Sequence, residues 1–243
     1  MVDKNPKLKN SGIIDCKPQK GKCPINCNQC FYNRENAFYT DIYSSQMPTL
    51  QEVGDDIVRV NSGHDSNLEK ESVLEKTAKY QHKFYNTSIP KFDFPAPFVL
   101  TANPKEEEEV PFISDIPINL MFIRLRVSST NLYYIEEAIK YYSLFKKIPV
   151  VLTFMAYYSE EPKNIENYEW QIRHTNSYWC PKKEFIKKVI NKMKMIGGRL
   201  VTICGTLDSR YCEDCGNCRN YYLQTMKHTD ETLEKKRKKD ERM

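Results

Sequence analysis

Ile118-Asn-Leu-Met-Phe-Ile-Arg-Leu-Arg-Val127, the segment from Asn131 to Lys147, and Pro149-Val-Val-Leu-Thr-Phe-Met-Ala156 together decide the fold. The two outer runs are short, apolar and rich in β-branched and aromatic residues, the composition of strands buried on both faces. Between them the period changes. Leu132, Ile135, Ala138, Ile139, Tyr142 and Phe145 recur at the spacing of one helical face. Strand, helix and strand in that order read as a parallel crossover unit.

Working outward, the same alternation recurs. Apolar runs at 11–16, 57–61, 97–102 and 199–204 bring the expected strands to six. A helix is expected from Ser66 to Tyr85, opened by the capping-box pattern Ser66-Asn-Leu-Glu69. Another, Lys182 to Met195, puts Phe185, Ile186, Val189, Ile190 and Met193 on one face before Gly197-Gly198, which can end it. Pro97 and Pro149 stand at strand starts, where a missing N–H costs little. The Pro-rich segment Ile89–Pro97 and the acidic segment Lys105–Pro117 read as loops. An irregular loop is expected from Ser159 to Ser177, a candidate substrate lid at the end of the sheet where α/β enzymes build sites. The expected fold class is therefore α/β, a partial (βα)6 barrel over 1–204 followed by a Cys-rich extension and basic tail over 205–243.

Composition narrows the function classes. With 40% hydrophobic residues, the 243-residue chain has enough apolar material for a core without disulfides. The net charge of +5 arises from 37 Lys and Arg against 32 Asp and Glu, a weak argument for nucleic acid. Much of it sits in Glu234-Lys-Lys-Arg-Lys-Lys-Asp-Glu-Arg-Met243, which reads as a solvated helix end. No apolar run resembles a signal peptide or a membrane span, so a cytoplasmic protein without membrane partners is expected. Nine cysteines in a reducing compartment point to metal before disulfides.

Cys23, Cys27 and Cys30 follow the first expected strand as Cys-x3-Cys-x2-Cys. Three thiolates can converge on a polynuclear cluster and leave one iron open, whereas structural zinc takes four ligands in a closed tetrahedron. A zinc knuckle that borrows a fourth ligand, such as Cys16, is the competing reading.

This triplet, placed after a first strand in a chain of strand-helix units, resembles the signature of the radical S-adenosylmethionine superfamily. The resemblance spans about Gly12 to Cys204, with only the triplet sequence-specific. It implies a [4Fe-4S] cluster on Cys23, Cys27 and Cys30, S-adenosylmethionine chelated to the open iron, and reductive cleavage to a 5′-deoxyadenosyl radical. It also implies an electron donor such as flavodoxin or ferredoxin, and classes the chain as an oxidoreductase or transferase of unidentified substrate. The cofactor carries the chemistry while the protein orients it and excludes water. One departure is Gln29, where the family usually has an aromatic residue; its backbone could still contact adenine, with Phe31 or Tyr32 supplying the ring.

Supporting positions fall at the other strand ends. Asn61-Ser62-Gly63-His64-Asp65-Ser66 stands where the family carries a Gly-Gly-Glu type motif for the amino group of S-adenosylmethionine. Gly63 would allow close approach and Asp65 could accept from the ammonium, or the segment is a turn in which Asp65 or Ser66 caps the next helix. Arg126 and Ser128 are candidates for the cofactor's carboxylate and ribose. Alternation puts Arg124 and Arg126 on one face, where they could equally pair with acids.

Cys204, Cys212, Cys215 and Cys218 place four thiols within fifteen residues, a set for an auxiliary [4Fe-4S] cluster or a structural zinc. Cys180, in Tyr178-Trp179-Cys180-Pro181, is a catalytic candidate able to pass a hydrogen atom to a substrate radical, or a buried small residue with Pro181 in the first turn of a helix. His64, His82, His174 and His228 show no paired metal spacing. Two functions are expected, a radical enzyme of this type, or a zinc-binding structural or nucleic-acid-binding module.

Overall fold

A computed structural model describes residues 5–27, 29–30, 44–102, 112–158, 160–172 and 177–240. Seven strands form one parallel sheet in sequential order: β1 (Ile13–Cys16), β2 (Ile57–Val60), β3 (Lys83–Thr87), β4 (Phe98–Ala102), β5 (Leu120–Val127), β6 (Val150–Phe154) and, last, Val201–Ile203. The sheet curls into a half-barrel. Between β6 and the last strand, β7 (Tyr168–Gln171) and β8 (Tyr178–Pro181) form a separate antiparallel hairpin, so the last strand is β9. The helices are α1 (Leu50–Val53), α2 (Lys70–Thr77), α3 (Leu132–Ile139), α4 (Lys183–Gly197), α5 (Cys212–Cys215) and α6 (Asn217–Asp240). Among the described residues no helix is long and apolar enough to cross a membrane.

The pleat divides the strand residues between two environments. On the outer face, Val58, Tyr85, Leu100, Ile123, Leu125 and Leu152 pack with Ile135 and Ile139 of α3 and with Phe185, Val189 and Met193 of α4. On the inner face, Ile13, Ile57, Phe84, Val99, Phe122 and Val151 form an apolar layer closed by Tyr222 of α6. Two residues further along each strand the inner face turns polar, with Asp15, Arg59, Asn86, Thr101, Arg124 and Thr153. Buried polar groups are costly unless partnered. Asp15 holds Arg59 in a 2.7 Å ion pair, and Arg124 donates to Asn86 Oδ1 at 3.2 Å and Thr101 Oγ1 at 3.3 Å.

The structure corrects four expectations. All six expected strands are present, but Lys83–Thr87 is a seventh and lies inside the region read as a helix. Phe84 and Tyr85 are fully buried on opposite faces, and pairing with both β2 and β4 overrides the helical phase. The capping box is absent, because Ser66 Oγ accepts from Asn61 and Glu69 takes a left-handed φ of 52° immediately before α2. The expected helix over Asn131–Lys147 is α3 continued as a π-helix over Lys140–Phe145. The expected lid loop contains the β7–β8 hairpin, so Pro181 ends a strand and α4 begins only at Lys183; residues 159 and 173–176, including His174, lie outside the described residues. Helix α4 runs close to its expected limits and closes at Gly198, whose N–H donates to Lys194 O.

Candidate functional site

A cavity of about 740 Å³ opens at the carboxyl ends of the strands, the usual position of sites in parallel sheets. Its wall carries both cysteine groups, Cys23, Cys27 and Cys30 on one part and Cys204, Cys212, Cys215 and Cys218 on another. Among the described residues no disulfide joins any of the nine cysteines.

The first group sits on the loop after β1. Asn26 and Gln29 take left-handed φ values of 46° and 51°, and the backbone closes through Asn26 N to Cys23 O at 3.3 Å and Cys30 N to Cys27 O at 3.1 Å. Asparagine and glutamine at such positions compact the loop without glycine. Gln29 fastens it to the rest of the protein. Its side-chain amide donates to Glu160 Oε1 at 2.6 Å, its Oε1 accepts from Tyr158 N at 3.0 Å, and its carbonyl accepts from Arg126 Nη2 at 3.4 Å. The Gln29 side chain is therefore a buried clamp; Phe31 and Tyr32 lie outside the described residues. Burial pushes the Cys23 thiol up to about 11, with Cys27, Asp65 and Cys30 adding repulsion. Burial also pulls Arg126 below its ordinary value, opposed by the nearby Cys30 and Cys27 thiols, so this guanidinium is within electrostatic reach of the triplet.

At the end of β2, Ser62, Gly63, His64 and Asp65 all line the cavity. The Asp65 carboxylate already accepts four hydrogen bonds: Asn67 N at 2.9 Å, Thr87 Oγ1 at 2.8 Å, Ser88 N at 2.6 Å and Ser88 Oγ at 2.9 Å. It braces the β2 and β3 loops. Ser128 is fully buried, accepts from the backbone of Thr130 and Asn131 ahead of α3, and is not among the residues lining the cavity. Sequence reasoning passed over Asn61. Its side chain is 1% exposed and borders the cavity, and its Oδ1 has no partner among the described residues. The available signal was a polar residue at a strand end, followed by the Ser-Gly turn.

Cys180 lies buried on β8 and lines the cavity. Arg210, from the segment after β9, donates to Tyr178 OH at 2.7 Å and to Cys180 Sγ. Linear spacing could not reveal this contact, because thirty residues separate the partners.

The second cysteine group is assembled by two glycine turns. Gly205 has a φ of +82°, and an added Cβ would stand 2.6 Å from Ser209 O, so only glycine lets the chain double back after Cys204. Gly216, at φ +60°, separates α5 from α6, and Asn217 Nδ2 ties that turn to Ile203 O of β9 at 2.7 Å. Cys212 is in electrostatic reach of Cys204, Cys218 and Cys215, and burial pushes its thiol up to about 12. Arg59 pulls the Cys212 thiol down, and both Arg124 and Arg59 pull down that of Cys218.

Among the described residues, no group of three or more His, Cys, Asp or Glu side chains stands close enough to hold a single metal ion. A tetrahedral zinc site needs all its sulfurs about 2.3 Å from one ion. A cubane takes one thiolate on each iron it shares with the protein, a ligand chemistry that three thiols on one part of the wall and four on another match in type and number. Compared with protein-family models, curated proteins and solved structures, the chain has no significant match. The fold and cavity define an α/β half-barrel with two thiol groups facing one cavity.

Proposed function

We propose that the chain is an iron–sulfur enzyme of the radical S-adenosylmethionine type. The reading rests on one observation: three thiols of a single clamped loop face a cavity of about 740 Å³ at the carboxyl ends of a parallel half-barrel. When bound, a [4Fe-4S] cluster on these thiols supplies the electron that cleaves S-adenosylmethionine to methionine and a 5′-deoxyadenosyl radical. Cys23, Cys27 and Cys30 would bind as thiolates, and Arg126 offers them a nearby positive charge. Asn61 borders the cavity beside Ser62 and Gly63, while Asp65, with its four bonds made, holds the loop that carries them. Gln29 holds the cysteine loop against Tyr158 and Glu160, which keeps the thiols together and limits water entry.

Anaerobic reconstitution with iron and sulfide tests this reading. The Cys23→Ala, Cys27→Ala, Cys30→Ala variant should lose about four irons per chain, the content of one [4Fe-4S] cluster. The parent protein with dithionite and S-adenosylmethionine should release 5′-deoxyadenosine, measured by mass spectrometry. Zinc bound in place of iron, or no 5′-deoxyadenosine from iron-replete protein, would overturn it.

A further inference from the structure

The half-barrel has a second group of thiols in the cavity, whose polar floor carries Arg59 and Arg124. Arg59 is matched by Asp15 at 2.7 Å. Arg124, half-buried on the inner face of β5, donates to the neutral acceptors Asn86 Oδ1 and Thr101 Oγ1 and lies 5.5 Å from the centre of the Phe122 ring. Its guanidinium lines the cavity, where an anion bound in the working protein would find a cation already in place. The thiols of Cys212 and Cys218 line the same cavity as both guanidinium groups.

Ligand spacing identifies the anion. Cys212, Cys215 and Cys218 form a Cys-x2-Cys-x2-Cys run, the spacing with which bacterial ferredoxin loops wrap three corners of a [4Fe-4S] cubane, the fourth ligand coming from elsewhere in the chain. Here the remote thiol is Cys204, which the Gly205 turn and the Asn217 tie to Ile203 bring to the same wall of the cavity. Four thiolates around a cubane carry net negative charge, which Arg124 would balance. We infer that Cys204, Cys212, Cys215 and Cys218 hold a second [4Fe-4S] cluster inside the half-barrel, in the same cavity as the triplet, with Arg124 as its counter-charge. Cys204 is exposed whereas the other three are half-buried, which makes it the most easily detached of the four ligands. The assignment concerns metal content alone and does not depend on S-adenosylmethionine cleavage.

Two complementary variants of the full chain separate the sites, each reconstituted anaerobically and measured by metal analysis and low-temperature EPR after reduction. Cys23→Ala with Cys27→Ala and Cys30→Ala should keep about four irons and a reduced-cluster signal, and further replacement of Cys212, Cys215 and Cys218 by Ala should abolish both. Zinc in place of iron, or no metal in the first variant while circular dichroism shows it folded, would overturn the second cluster and leave the first untouched. The Cys212, Cys215 and Cys218 variant alone should lose the second cluster's iron and keep about four irons on the triplet, and loss of all its iron would count against the triplet instead. In the first variant, Arg124→Gln should move the midpoint potential to a more negative value, because a cation favours the extra electron. An unchanged potential refutes the counter-charge.

Discussion

Asp65→Ala offers the sharpest test of how the cavity wall is built. The carboxylate is 3% exposed and accepts from Asn67 N, Thr87 Oγ1, Ser88 N and Ser88 Oγ. The two hydroxyls can turn to other acceptors, and Thr87 Oγ1 already lies 3.0 Å from Ile89 O. The two backbone N–H groups cannot. A buried donor left unsatisfied costs about 1–3 kcal/mol, and these two are partly buried, so the substitution should cost about 2–4 kcal/mol in all. For a chain of this size each kcal/mol lowers the melting temperature by about 2–4 °C, which predicts a fall on the order of 10 °C. Thermal melting of the metal-free variant by circular dichroism reads this directly. Melting within about 2 °C of the parent, together with lost binding of S-adenosylmethionine, would refute the bracing role and return Asp65 to the ligand.

Other perturbations follow from the same geometry. In Gly197→Ala the new Cβ would lie 2.4 Å from Val201 Cγ2 and 2.8 Å from Ile139 Cγ2, so urea unfolding should show a loss of about 1–3 kcal/mol, and an unchanged midpoint would contradict this packing. Gln29→Ala removes the clamp on the cysteine loop and should lower iron affinity about 10-fold in a chelator competition; affinity equal to the parent's would show that the clamp is dispensable. Burial pushes the Cys16 thiol from 9.0 to about 12, so the fold favours its neutral form: its contribution is complete below pH 9 and is lost as pH climbs toward 12. Cys16→Ala should therefore show a shallower alkaline loss of stability than the parent, and an identical slope would rule out this source. In the metal-free native chain, iodoacetamide at pH 8 should modify exposed Cys204 well before buried Cys16, as peptide mass mapping would show.

Much of the site could be read from the chain because its chemistry is local. Cys23, Cys27 and Cys30 belong to one short loop, and Cys212, Cys215 and Cys218 to one seven-residue run across the turn between α5 and α6. Ser128 misled for a local reason as well: its hydroxyl serves the backbone ahead of α3, a use that its place after a strand does not reveal. Gln29 and Arg210 act through partners 131 and 30 residues away, which linear spacing cannot signal.

The sequence by itself determined the α/β class, six of the seven strands and the grouping of the cysteines, because apolar periodicity and ligand spacing are properties of neighbouring residues. Tertiary structure alone decided that Phe84 and Tyr85 belong to a strand, since their burial requires β2 and β4 on either side. It also decided that both cysteine groups face one cavity. Curling the sheet brings the loop after β1, the end of β9 and the start of α6 together above a floor that holds Arg59 and Arg124. A linear pattern carries no record of which distant loops share a wall.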